Sequence, residues 1–496
     1  MEKTCIIWID LQLEFLTRDG FMGEKHIDGE PLIEKVRHLT NLARQFHFPI
    51  VWVKACYNHQ VKPEPKKNLN INIPKTIAHV PLISDFHAST HFNGPKSRQC
   101  CVRGSKLIEF HPSIQEIIEP NDIVITKNWY SAFTETGLAK KLNKKGIKRL
   151  YIGGVSTHVC VQATCIDAFF LGYKVNIFSD ATNSSKKESY EKGLTEMSKY
   201  YAKILTTEEA IEEWKNVKYG SGDCRLLHDI FEPKLINFEE IKKEISWNEM
   251  FHRGGPVPRL VSLQGDLIKN QDDEEVYQFP IYRHPVDEHP ILTYWTPIVQ
   301  LIRDHIQTIV GHTLNHCLIQ YYRNGGDHIS DHSDKTLDIV PGSFIVNFSI
   351  GCTRELMLKS KIAVDGKKEK QHVYMYHNSM FLMGLKTNAE FYHCIQEDNR
   401  DNRLKTLDEV SFNGERISFT FRWIGTWIKT VGQDQFIYGQ GAKAKTSDQA
   451  EPLLYDKSEY SNLIFAFGNE NTLSSFNWDE YYGKGFDVIG GKRLSH

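Results

Sequence analysis

The chain has 496 residues, 40% of them hydrophobic and 25% charged, with a formal net charge of -2. It exceeds the roughly 250 to 300 residues at which single cores stop growing, so two or more domains are expected, and its composition excludes wholesale disorder. The near-neutral charge gives no overall attraction to nucleic acid, whose affinity is dominated by phosphate contacts, so any such binding requires a local basic face.

No apolar run reaches the ~20 residues that cross a bilayer. The start, Met1 to Asp10, passes directly into a strand-like run without a signal-peptide layout. An intracellular protein, cytoplasmic or nuclear and with no membrane partner, is expected. The ten cysteines contain no Cys-x-x-Cys pair, which points to buried thiols rather than disulfides.

Residues 1–215 alternate short β-rich runs with longer helical patterns. The runs are Cys5 to Ile9, Pro49 to Val53, Ile123 to Ile125, Leu150 to Ile152, Val175 to Phe178 and finally Ile204 with Leu205. Continuous apolar strands separated by helices predict an α/β doubly wound domain, its parallel sheet covered on both faces. Thr206 to Trp214 opens with a capping signature and reads as the closing helix.

Asp10, Lys127 and Cys160 each follow one of these strands. Ligands of open α/β sheets bind outside the carboxyl ends of the strands, so the three side chains are predicted to share one crevice. The pattern from Val161 to Leu171 reads as a helix, which places the Cys160 thiol near a helix N-terminus that favours thiolate. Lys127 adds a positive charge, and Asp10 can accept the thiol proton and pass it to a leaving group. Cys165 is expected in the core.

These residues resemble the isochorismatase-like cysteine hydrolases. The likeness rests on Asp10-Leu-Gln12 with Phe15, on Lys127 with Ser131-Ala-Phe133 and Thr136, and on Gly154-Val-Ser-Thr-His-Val-Cys-Val161. It covers about residues 3–212 and implies the Asp10, Lys127, Cys160 triad, a cis peptide at Val155-Ser156 and a small-molecule substrate. Members that bind a metal carry Asp-x-His after the second strand. Here the region reads Cys56-Tyr-Asn-His-Gln60, so no metal is expected in this half.

Residues 216–236, with Lys218-Tyr-Gly-Ser-Gly-Asp223, read as a linker. A helix is expected over residues 238–251. From there to residue 432, short β-rich runs separated by Gly, Asn and Asp predict an antiparallel jelly roll, or double-stranded β-helix, with helices. The remaining extension, 433–496, is too aromatic for a disordered tail and is expected to pack back on a domain. Phe476, Trp478, Tyr481, Tyr482 and Phe486 carry that expectation.

His332 and Asp334 stand two apart, so on a strand they share a face, and His393 lies on a distant run. Two imidazoles and one carboxylate on one side of Fe(II) leave positions open for a chelating co-substrate and O2. The run Arg416-Ile-Ser-Phe-Thr-Phe-Arg422 alternates strictly: Ile417, Phe419 and Phe421 should pack in the core, while Arg416, Ser418, Thr420 and Arg422 face the other way. Paired guanidiniums suit a dicarboxylate. His312 and His328 are expected to be structural.

This half resembles the AlkB-like 2-oxoglutarate- and Fe(II)-dependent dioxygenases from Trp247 to Trp427. The pieces include Val257-Pro-Arg259, Leu318-Ile-Gln-Tyr-Tyr322, His332-Ser-Asp334, Ile345 to Gly351, Phe391 to Gln396 and Arg416 to Arg422. The resemblance implies iron ligation by His332, Asp334 and His393. It also implies 2-oxoglutarate binding by Arg416, Arg422 and Tyr322, with Gln320 and Ser418 as further contacts. Both of the latter stand where the family usually has Asn, and both remain hydrogen-bond capable. Family members oxidise N-alkyl groups on nucleic-acid bases, which implies a nucleic acid or modified base as partner.

A bifunctional enzyme is therefore expected, a cysteine hydrolase fused to a dioxygenase, with any oligomer formed through the hydrolase half. The alternative is that one half is catalytic and the other a substrate- or partner-binding module.

Overall fold

The structure is a computed structural model in which residues 3–20, 29–57, 100–252, 255–269, 276–284, 290–454 and 456–489 are described. The chain forms two compact units, Met1–Asn216 and Val217–His496. Among the described residues, no helix is long and apolar enough to cross a membrane.

The first unit is built on a parallel sheet, six-stranded among the described residues. Its spatial order is Ile123–Lys127, Ile50–Ala55, Thr4–Ile9, Arg149–Val155, Lys174–Asn183, Lys203–Leu205. Side chains alternate between the faces of a strand. Ile6 and Trp8 accordingly enter one buried cluster, with Trp52, Phe178 and Trp214, while Cys5, Ile7 and Ile9 enter another, with Ile152, Cys165 and Ile177. Two buried faces explain why these strands read as continuous apolar runs. Thr206 caps the helix Thr207–Lys215 through a complete capping box.

The second unit is antiparallel. One sheet runs in the order Leu260–Gly265, His316–Tyr322, Arg416–Arg422, Ile345–Gly351, Ser379–Met383, Arg225–Leu227, and a facing one in the order Ile329–His332, Phe391–Ile395, Arg354–Val364, Lys367–Met375. Ile417, Phe419 and Phe421 lie in the core with Ile319, Phe348 and the helix Pro297–Val310, as their alternation predicts.

Two expectations need correction. Residues 216–236 are not a free linker: Arg225–Leu227 pairs with Ser379–Met383, and the Asp223 carboxylate accepts from the backbone N–H groups of Lys386 and Thr387. The turn-rich composition reflects tight docking on that sheet edge. The expected helix over 238–251 ends at Glu244, because Asn248 leaves the helix to pair its backbone with Val261.

The aromatic extension packs within the second unit. Tyr482, Phe467, Leu463 and Val488 are buried with Leu337. Arg283, ion-paired with Asp338 at 2.7 Å, donates to the carbonyls of Gly441, Phe486 and Val488. A buried charge pair with its remaining donors satisfied ties the extension to the unit.

Two candidate active sites

In the first unit the strand order reverses between Thr4–Ile9 and Arg149–Val155, the place where open α/β sheets bind ligands. Asp10 ends the first of these strands with φ +52°, a left-handed turn that Asp tolerates better than bulkier residues. Gly154 is the next-to-last residue of the second. A Cβ there would meet Ile9 O at 2.1 Å, so glycine is what lets the two strand ends approach. The Val155-Ser156 peptide is cis. A single π turn, Thr157–Val161, then carries Cys160 into the helix Gln162–Phe170.

These elements bring the three predicted residues together. Lys127 Nζ donates to Asp10 Oδ2 at 2.8 Å and to Trp129 O at 3.2 Å, and both residues act electrostatically on the Cys160 thiol. Asp10 and Lys127 are fully buried. Gln12 joins the neighbouring segments, donating to Ala55 O and Ile108 O. Burial pushes the Cys160 thiol up, with Lys127 opposing and Asp10 adding, the opposite direction from the helix N-terminus. Burial also raises the Asp10 carboxyl, against the pull of Lys127. Burial opposes the charge on Lys127, but Asp10 outweighs it. Asn58, His59 and Gln60 lie outside the described residues. Cys165 is in the core.

In the second unit His332 and His393 are direct cross-strand partners, their ring centroids 4.2 Å apart. Asp334 follows on the loop beyond His332, where the Asn388 amide clamps its backbone N–H and carbonyl. Asp334 Oδ1 lies 3.8 Å from His332 Nε2 and 3.9 Å from His393 Nε2, and one ligand atom from each residue falls within 4.8 Å of the others. Arg422 occupies the other carboxylate oxygen, Oδ2, from Nη2 at 2.6 Å and Nε at 3.0 Å. His332 Nδ1 donates to Ser330 O at 2.8 Å, which leaves its Nε2 lone pair toward the cluster.

The electrostatics suit a cation. Burial pushes His393 down to about 3, with His332 adding to the effect, and burial also lowers His332. Burial works against ionisation of Asp334, yet Arg422 and the two imidazoles outweigh it and hold the carboxyl below the usual range. Two neutral imidazoles and one carboxylate are the deprotonated state that metal binding needs.

The cluster opens on a cavity of about 550 Å³. Tyr322, Gln320 and Arg422 line it. Gln320 Oε1 already accepts from Arg259 Nε at 2.7 Å, and Ser418 Oγ donates to Asn347 Oδ1 at 3.1 Å. Arg416 lies over the Tyr322 ring at 5.1 Å and donates to Ser349 Oγ and Asn347 Oδ1; its Nη1 is buried without a hydrogen-bond partner. An orphaned guanidinium N–H fits an anionic group yet to bind. His312 is satisfied by Thr313 O and the Phe344 N–H, and His328, which lines the cavity, donates from Nδ1 to Gly326 O at 3.0 Å. Sequence reasoning missed Arg259, Asn347, Lys335 and four residues of the extension, Ile464, Phe467, Gly468 and Asn471, which also line it. The spacing of those four, one side of a helix, was the signal available.

Comparisons with known proteins agree with the division into units. Residues 4–209 match the isochorismatase domain, and residues 223–422 match the 2OG-Fe(II) oxygenase superfamily. The human DNA oxidative demethylase ALKBH2 is 33% identical over 225 residues, which are 42% of this chain and 77% of that protein. The ureidoacrylate amidohydrolase RutB of Enterobacter sp. (strain 638) is 26% identical over 198 residues, covering 38% of this chain and 80% of the relative. Among solved structures, an isochorismatase-like hydrolase from Alkaliphilus metalliredigens is 22% identical, covers 43% of this chain and 98% of its own, and has a TM-score of 0.33. The chain therefore belongs to the AlkB-like 2-oxoglutarate- and Fe(II)-dependent dioxygenases through its second unit, and it carries an isochorismatase domain as its first.

Proposed function

We propose that the chain is a bifunctional enzyme. A cysteine hydrolase (residues 1–215) is joined to an oxygenase (residues 237–432, with the packed extension 433–496) that oxidises, and so N-dealkylates, a nucleobase or a related small molecule. The observation that carries the reading is the presence of two complete side-chain sets, one around Cys160 and one around Asp334.

In the first, Cys160 is the nucleophile toward a carbonyl carbon. Asp10 takes the thiol proton as the C–S bond forms and returns it to the leaving nitrogen as the C–N bond breaks, Lys127 balances the negative charge of the Asp10 carboxylate and then of the attacking sulfur, and water cleaves the C–S bond to free the acid. An amide or ureido C–N bond is the substrate class supported by the likeness to an amidohydrolase.

In the second, His332 Nε2, Asp334 Oδ1 and His393 Nε2 would hold Fe(II), which supplies the redox chemistry that couples O2 to 2-oxoglutarate. Arg422 fixes the Asp334 carboxylate so that one oxygen alone faces the cluster. Arg416, with Arg422, Tyr322, Gln320 and Ser418, serves the co-substrate. A base reaches such a cavity unpaired or flipped from its stack.

Incubation of the full chain with Fe(II), ascorbate and 2-oxoglutarate is expected to yield succinate, and His332→Ala to abolish it. If wild type neither binds iron nor forms succinate, the oxygenase half of the proposal fails. For the hydrolase half, a panel of amides and ureido acids should include one that wild type cleaves and Cys160→Ala does not. One observation favours a second reading, in which the first unit only binds a ligand for the other: burial raises the Cys160 thiol. Such a unit binds members of the panel without consuming them.

A further inference from the structure

The helix Lys457–Thr472 lies beyond the residues matched to the oxygenase superfamily, yet it is joined to the loop that carries Asp334. Asn471 Oδ1 accepts from the Ser333 N–H at 3.1 Å and from Lys335 Nζ at 3.2 Å. Glu470 accepts from the Thr336 N–H at 2.9 Å and from the Tyr482 hydroxyl at 2.6 Å. Lys361 Nζ closes the C-terminal end of the helix, donating to Glu470 O at 2.7 Å and to Leu473 O at 3.2 Å. Residues on both sides of Asp334 are thus fastened to this helix by part-buried polar contacts, which fix its position on the cavity.

Ile464, Phe467, Gly468 and Asn471 share one side of the helix at spacings of three, four and seven, and all four line the cavity that contains His332, Asp334 and His393. Gly468 is the informative member. Glycine in a helix interior is unfavourable relative to alanine and calls for a reason. Gly193, inside the helix Lys187–Tyr200, has one in packing, since a Cβ there would meet His158 Cα at 3.0 Å. At Gly468 a Cβ meets nothing within 4 Å, and the backbone is ordinary helix. Packing does not demand glycine at this point, and Gly468 is exposed where it lines the cavity.

We propose that this helix forms the acceptor-substrate wall of the oxygenase and that Gly468 sets how large a group the wall admits beside the metal-ligand cluster, an inference that rests on the oxygenase reading above. Ile464 and Phe467 give the wall an apolar surface, and Met250, Val257 and Leu318 also line the cavity. The group admitted is a flat ring with largely apolar faces, such as an N-alkylated heterocycle. Arg259, which also lines the cavity, provides a polar contact to its edge.

The test uses the full chain carrying Gly468→Ala or Gly468→Leu. It reads melting temperature, Fe(II) affinity, substrate-independent succinate formation, and demethylation of an N-methylated adenine offered both in a short single strand and as the free nucleoside. Gly468→Ala is expected to keep or raise the melting temperature of the second unit, by up to about 2 to 4 °C. Gly468→Leu is expected to raise KM for the methylated adenine roughly tenfold or more, with Fe(II) affinity, substrate-independent succinate and the KM for 2-oxoglutarate unchanged. A lower melting temperature for Gly468→Ala would mean that the position is packed and would overturn the proposal. So would an unchanged KM for the methylated adenine in Gly468→Leu, or an equal rise in the KM for 2-oxoglutarate. Absence of succinate from wild type is a different result, because it removes the oxygenase reading itself.

Discussion

The two sites place charge underground in opposite ways. Around Cys160 the account is closed within the protein: Lys127 answers Asp10 at 2.8 Å, both are fully buried, and burial pushes the thiol up. Around Asp334 one oxygen is answered by Arg422, while the other faces two imidazoles held neutral by burial. The first arrangement is complete before a substrate arrives and needs only a proton to move. The second gathers three lone-pair donors, two imidazole nitrogens and a carboxylate oxygen, the deprotonated donor set that metal binding needs.

If the sites are independent, Cys160→Ala should lower hydrolysis by a factor on the order of 10⁴ while leaving succinate formation intact, and His332→Ala should do the reverse. Loss of both activities from either substitution would end the idea of two separate sites. Asp10→Asn should come next in size. It strands Lys127 as a buried unpaired charge, a change that costs about 3 to 5 kcal/mol in comparable pairs and should lower the melting transition of the first unit alone by calorimetry. Arg422→Lys keeps the charge but loses the two-point grip on Asp334 Oδ2. Fe(II) affinity by titration should fall about 10- to 100-fold, and unchanged affinity would remove Arg422 from the role given to it.

The smallest effect concerns Lys361, which burial, with Lys335 adding, lowers to about 8 from 10.5. Between those values the unfolded chain binds more protons than the folded one, so the lysine's contribution to stability grows as pH rises and is lost as pH falls through 8. Melting curves of wild type and Lys361→Met should therefore diverge in favour of wild type from pH 8 upward. Parallel curves would show that Lys361 is better solvated than its burial implies.

The sequence made the first unit legible because a parallel sheet with two buried faces leaves an unmistakable trace: Cys5 to Ile9 is apolar throughout, and so is most of Ile50–Ala55. Strand ends then predicted where Asp10, Lys127 and Cys160 would meet. Alternation did the same for the core face of Arg416–Arg422, Ile417, Phe419 and Phe421, whereas of the other face only Thr420 and Arg422 line the cavity. What stayed hidden was set by contacts far apart in sequence. The thiol's protonation depends on burial by surrounding elements, and a helix N-terminus alone argued the other way. The contact of Arg422 with Asp334 spans 88 positions and leaves no local trace. The extension was expected to pack, yet nothing local marked Asn471 as a neighbour of Ser333, because the helix also exposes Phe465 on its far side.

The bond between Ser333 and Asn471 also imposes an order in time. The two residues are 138 positions apart, so a ribosome that has just delivered the Asp334 loop must add all of the intervening chain before the loop meets the helix that holds it. The first unit, whose last strand ends at Leu205, can be finished well before then. Each newly made molecule should thus pass through a stage with a mature hydrolase unit and an oxygenase whose pocket still lacks a side. Iron offered during that interval would meet a site open to water, and chaperone capture or premature metal loading should concentrate there.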